Sequence, residues 1–278
     1  MIKTILSAIG SSARSLLGFW RACIIFLVLY AAMLGAVYLF FAGRETTTVQ
    51  FLFNVLLALA VPVLFFVLQT MAVRFTDTLG HAKTLTLGAL RECWKLLLIS
   101  LPMIVVVGLV VYLLAQIKVG PDQTPLIPAP PRAAVAKPAP PLQWQAVAIV
   151  SIQYLLVCLI LPLSLIHQWI TTAREGLKAG IKGSLRSIGR ALAPSSVLIY
   201  VIGFIFFGLL PYILLFNKTQ ASSTWLDIGL LGGRLLLAVL LSVVGWVVTL
   251  GALAQITQGD ASNAGSVRAG TEHVAVGS

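Results

Sequence analysis

The chain has 278 residues, of which 59% are hydrophobic and 10% charged, and its mean hydropathy is +1.01. A soluble domain carries about 25% charged residues, so this composition excludes an ordinary soluble enzyme or binding domain. The formal net charge of +11 comes from 19 Lys and Arg against 8 Asp and Glu. With long apolar runs between those cations, they read as membrane topology and attraction to anionic lipid, and nucleic acid is excluded as a partner.

The first segment, 1–21, places Ile2, Leu6, Ile9, Ala13, Leu16 and Trp20 at helical spacing, with Lys3, Ser7 and Arg14 off that stripe. This predicts an amphipathic segment. It is a poor signal peptide, because few apolar residues separate Lys3 from Ser11 and Ser12, and the true apolar run begins only after Arg21. A membrane domain follows over 22–256. Its apolar runs, at 22–43, 50–73, 96–117, 145–170, 193–216 and 235–256, each approach or exceed the roughly 20 residues a spanning helix needs. The expected fold class is all-α: a polytopic membrane protein with six transmembrane helices as three helical hairpins, plus cytoplasmic amphipathic helices.

Between the third and fourth runs lies 118–144, with Pro121, Pro125, Pro128, Pro130, Pro131, Pro138, Pro140 and Pro141. So many prolines predict an extended connector with no core of its own. The tail, 257–278, is rich in Gly, Ala and Ser, has no periodicity, and is expected to be disordered.

Orientation follows from the Lys and Arg near the span ends. Lys3, Arg14, Arg21, Arg74, Lys83, Arg91, Lys95, five residues within 171–192, and Arg268 fall on one side; Arg44, Lys118, Arg132, Lys137, Lys218 and Arg234 fall on the other. Thirteen against six puts both termini and 171–192 in the cytoplasm and the connector outside.

The cytoplasmic segment 171–192 carries Arg174, Lys178, Lys182, Arg186 and Arg190, one every fourth position. On a helix, each such step turns by about 40°. The ladder therefore winds beside an apolar stripe of Leu177, Ile181, Leu185, Ile188 and Leu192, opposite a small face with Gly176, Gly180, Gly183, Ser184 and Ser187. Three faces of this kind suit a helix lying in the membrane interface with its basic side chains on lipid headgroups. The glycines admit two readings: a close helix contact through Gly176 and Gly180, or a break into two short helices joined by a turn.

The theme recurs. Leu87, Leu90 and Trp94 repeat the spacing of Ala13, Leu16 and Trp20, and Arg21, Lys95 and Arg190 each precede a membrane run. Pro62, Arg74, Gly80 and Leu85 stand one hundred positions before Pro162, Arg174, Gly180 and Leu185. This predicts an internal repeat of a cytoplasmic amphipathic segment followed by a membrane hairpin. The plan resembles bacterial multi-pass families built from duplicated helical hairpins, and that resemblance implies an inner-membrane location.

Chemistry is sparse. Cys23, Cys93 and Cys158 are far apart, with no metal-ligand spacing, and no phosphate loop, paired carboxylates or Ser/His/Asp pattern occurs. No cofactor and no catalytic residue is expected, and the protein is expected not to be an enzyme. Asn54, Gln69, Gln153, His167 and Arg234 are polar groups in or beside the runs. They either join helices by hydrogen bonds or line a polar path. Pro62, Pro102, Pro162 and Pro211 are expected to kink their helices. The function expected is organisation of anionic lipid or partner proteins through the cytoplasmic basic helices, with the ladder as headgroup site. The alternative is a transporter or channel for a lipidic, apolar or anionic small molecule. The partners expected are the lipid bilayer, anionic phospholipids, and a membrane-protein partner or homo-oligomer.

Overall fold

A computed structural model describes residues 2–43, 47–75, 82–116, 144–217 and 224–275; the side chains of 82–84, 146, 185, 224 and 258–275 lie outside that description. The connector expected over 118–144 falls almost wholly outside it, as does Gly80. Every described element is a helix. The order is α1 (Ile2–Gly18), α2 (Trp20–Ala42), α3 (Thr48–Phe75), α4 (Ala82–Ala115), α5 (Trp144–Leu155), a π-helical turn (Leu156–Ile160), α6 (Leu161–Glu175), α7 (Leu177–Lys182), α8 (Ser184–Ala191), α9 (Pro194–Phe204), a second π-helical turn (Ile205–Leu209), α10 (Leu210–Phe216) and α11 (Thr224–Ala275).

Six stretches are long and apolar enough to cross a membrane: Trp20–Ala42, Thr48–Phe75, Leu85–Ala115, Val147–Glu175, Pro194–Phe216 and Trp225–Thr257. The protein is an all-α, multi-pass membrane protein. Successive spans are neighbours: α2 lies on α3, α4 on α5–α6, and α9–α10 on α11. The last span is the hub. It buries 39% of its most apolar window against 6% for the first span, and it touches α1, α2, α3, α6, α9 and α10.

Small residues let the hub approach its neighbours. A Cβ on Gly203 of α9 would collide with the Thr249 side chain, and one on Gly245 would sit 3.1 Å from the Phe207 backbone nitrogen. Such crossings gain dispersion contact where lipid supplies no hydrophobic drive between helices.

The buried core concentrates towards one end, here termed the basic end because α1, α7 and α8 sit there. It contains Ile5 and Leu16 of α1, Val67–Val73 of α3, Leu96 and Ile99 of α4, Leu163–Ile170 of α6, and Leu250–Ala254 of α11. The other, connector end exposes its apolar side chains, among them Phe51, Leu56, Val105, Tyr154, Phe216 and Trp225.

Two prolines act differently from a simple kink. Pro162 and Pro211 each stand two positions after a π-helical turn. A proline removes one N–H and its ring presses on the carbonyl four residues back. Widening the preceding turn relieves that pressure, and Leu161 N–H then bonds to the Leu156 carbonyl, five residues back. The Tyr200 hydroxyl donates to the carbonyl of Cys158, four residues before Pro162, at 3.1 Å. Pro62 and Pro102, by contrast, lie inside continuous α3 and α4.

Helix α11 continues to Ala275. No proline follows Pro211, so nothing after the last span interrupts the backbone ladder.

Candidate functional site

The ladder is not one helix. Gly176 ends α6 with φ 88° and ψ 171°, a backbone region essentially confined to glycine, while its N–H closes onto the Thr172 carbonyl at 3.0 Å. A second break at Gly183 separates α7 from α8. Both short helices fold back against α6, and α7 also meets α4. Gly180 is the point of closest approach, since a Cβ there would strike Thr172 and would lie 2.7 Å from Ile99. Of the expected small-residue pair, then, Gly176 serves as the turn and only Gly180 packs. The expected apolar stripe is divided as well. Leu177 packs against the core, whereas Ile181 and Leu192 are exposed.

The fold sorts the five cations. Lys178, Lys182 and Arg186 are exposed. Arg174 is half-buried and donates to the Ala254 carbonyl of α11 at 3.2 Å. Arg190 is half-buried in the last turn of α8, where a positive charge complements the helix dipole. Three outward cations thus form a surface, with two more turned into the fold. Lys3, Arg14, Arg21 and Arg91 are exposed at the same end, and Arg74 pairs with Glu92, which also meets Lys95 at 3.7 Å.

The amphipathic stripes at this end face outward. In α1 the buried residues are Ile5, Ala8, Ser12 and Leu16. Of the predicted stripe only Leu16 is fully covered, while Ile2, Leu6 and Trp20 stay more than half exposed, at 65%, 61% and 62%. The two sets lie side by side on the helix, so α1 has one apolar flank on α11 and one free. Ser11 ties it down by donating to Gln255 Oε1 at 2.6 Å. Leu87, Leu90 and Trp94 of α4 are likewise exposed.

Beneath the surface lies a belt of buried polar side chains on α6. His167 Nε2 is 3.1 Å from Ser196 Oγ, Gln168 Nε2 donates to Ser184 Oγ, and Trp169 Nε1 donates to Ser100 Oγ at 2.8 Å. These bonds tie α6 to α9, α8 and α4. Ser164 Oγ, His167 Nδ1, Gln168 Oε1 and Thr172 Oγ1 are buried without a partner among the described residues. The sequence reading singled out His167 but missed the belt around it, whose signal is the polar run at 164, 167, 168, 171 and 172 within an apolar span.

The five residues of the alternative polar path are not brought together. Asn54 lies against Gly43 at the α2–α3 turn. Gln69 accepts from Trp246 Nε1 at 2.7 Å, Gln153 donates to the Val111 carbonyl at 3.5 Å, and Arg234 donates to the Asn217 carbonyl at 2.7 Å. Gln69, Gln153 and Arg234 thus each bond to another segment of the chain. No group of three or more His, Cys, Asp or Glu able to hold a metal occurs among the described residues.

No protein-family model matches the chain, and neither a curated protein nor a solved structure matches it. The chemistry of the site is therefore read from its geometry: an end of a helical bundle that presents three exposed cations, Lys178, Lys182 and Arg186, on the same side as exposed apolar side chains.

Proposed function

We propose that this multi-pass protein is a non-enzymatic organiser of anionic phospholipid, holding headgroups on Lys178, Lys182 and Arg186 at the cytoplasmic surface of a bacterial inner membrane. The observation that carries the reading is the sorting of the ladder, in which Arg174 is used by the fold and the three central cations are left outward. The free apolar flank of α1 and the Leu87, Leu90 and Trp94 face of α4 support it. Such side chains at a span end are where acyl chains begin. Each cation near an anionic surface contributes about 1 kcal/mol before salt screening. Arg174 and Arg190 set the pose of the segment, and on this reading they are positioning residues.

The test replaces Lys178, Lys182 and Arg186 by Gln in the full-length protein. Insertion survives, because six spans remain. Selective retention of phosphatidylglycerol or cardiolipin over phosphatidylcholine, read by lipid competition on purified protein, falls towards parity. An unchanged preference rejects the role and leaves the ladder as an insertion signal or a docking face for an acidic protein.

A further inference from the structure

Between the helices lies a partly open cavity of about 340 Å³, within the range of small-molecule sites, about 300–1,000 Å³. Five spans wall it, through residues such as Phe26, Phe65, Gln69, Trp169, Phe207 and Trp246, and α4 supplies none of the lining. No lining residue is ionisable as a carboxylate or a cation; Tyr30 and Ser242 add hydroxyls. This excludes an ion as the occupant and favours a neutral, apolar body.

One group in the wall is unsatisfied. Gln69 is 5% exposed. Trp246 Nε1 can only donate, so the Gln69 atom facing it at 2.7 Å is the amide oxygen. That leaves Gln69 Nε2, a two-proton donor, without a hydrogen bond to the protein among the described residues. Gln69 lines the pocket, and a donor facing an apolar pocket without an acceptor is unfavourable, while a water in its place needs several polar partners that an aromatic wall supplies poorly. A carbonyl on an aliphatic chain satisfies both features. We propose that this cavity binds one acyl-ester chain of a membrane lipid, its carbonyl accepting a hydrogen bond from Gln69 Nε2. This site is separate from the headgroup surface and does not depend on it.

Purified full-length protein is titrated with radiolabelled methyl laurate and, in parallel, with radiolabelled dodecane. Methyl laurate binds saturably at one per chain and is displaced by a short-chain diacyl phosphatidylcholine. Ala72→Phe and Ser242→Phe fill the cavity from α3 and α11, and each abolishes binding of both probes. Gln69→Leu weakens methyl laurate about tenfold, the effect of one hydrogen bond, and leaves dodecane unchanged. Helical circular dichroism and a single gel-filtration peak identify the variants that fold. If one filling variant does not fold, the other and Gln69→Leu still decide. Non-saturable uptake, no displacement by the phospholipid, or full binding in a folded filling variant overturns the proposal. The triple Gln variant of the basic surface keeps full methyl laurate binding, so failure of the headgroup reading and failure of this one are distinguishable.

Discussion

Trp169 and Trp225 are the same side chain in two different surroundings. Trp169, near the basic end, is 3% exposed, donates to Ser100, and meets Phe65 and Phe66 edge-on with ring centres 6.3 Å away. Trp225, at the connector end, is 82% exposed. The whole bundle follows this division. Near the basic end, helices interdigitate and several polar side chains bond across them, whereas at the connector end apolar side chains point away from the protein. Because lipid is as apolar as Leu, an exposed apolar residue costs little there. Hydropathy therefore cannot distinguish the two ends, and packing and polar bonding do.

The sharpest way to break the comparison is to truncate both tryptophans. Trp169→Ala removes a large, buried ring and leaves Ser100 without its donor, and the expected cost is about 3–5 kcal/mol. Trp225→Ala is expected to stay within about 0.5 kcal/mol. Thermal midpoints of the two variants in the same detergent check this. Equal shifts would mean that the connector end is as well packed in the membrane as the basic end, through a partner or a second copy.

A charge pair sharpens it next. Arg74 and Glu92 bridge α3 and α4 at the basic end, with side chains 28% and 21% exposed. Arg74→Gln leaves Glu92 with Lys95 alone, and the expected loss is about 2–3 kcal/mol, at or below the lower edge of the range for a fully buried pair. The exchange Arg74→Glu with Glu92→Arg is expected to recover at least half of it. No recovery would mean that Arg74 acts through its other contacts.

The class of the fold was legible in the sequence because a bilayer demands uninterrupted apolar length, and six such runs are hard to hide. Which face of a helix turns inward was not. The stripe of Ile2, Leu6 and Trp20 predicts an amphipathic α1, yet the residues it buries are Ile5, Ala8, Ser12 and Leu16. In a membrane, greasiness marks the lipid side as readily as the protein side, so a stripe alone does not choose. The ladder was legible as a set of cations, but its sorting was not, because Arg174 finds a carbonyl eighty residues away. The proposed repeat linked Pro62 with Pro162 and Arg74 with Arg174. Locally these pairs differ, since Pro62 lies in unbroken α3 and Pro162 follows a π-helical turn, while Arg74 meets a carboxylate and Arg174 a carbonyl.

Glycines give a smaller effect of opposite sign at the two ends. Gly176→Ala places a side chain at φ 88° and is expected to cost about 1–2 kcal/mol of strain. Gly108, in α4 with nothing within 4 Å of a built Cβ, gains helix propensity on Gly108→Ala, by up to about 1 kcal/mol. Thermal midpoints moving in opposite directions support the glycine turn as the fixed point of the ladder, and a neutral Gly176→Ala rejects it.

The smallest expected effect concerns the bond between Tyr200 and the Cys158 carbonyl. Tyr200→Phe keeps the ring and its contacts with Phe204 and Phe207 and removes only the hydroxyl, so the expected cost is about 0.5–1.5 kcal/mol. The carbonyl it serves stands four residues before Pro162, which has no N–H to offer it. In a Pro162→Ala background the residue regains its N–H, and the π-helical turn is free to tighten so that this N–H serves the carbonyl four residues back. Tyr200→Phe should then be nearly neutral. A double-mutant cycle measures the difference directly, and a coupling close to the whole cost of Tyr200→Phe is expected. Zero coupling would mean that the hydroxyl stabilises the bundle by some other contact, and that the wide turn before Pro162 does not depend on its neighbour across the helix interface.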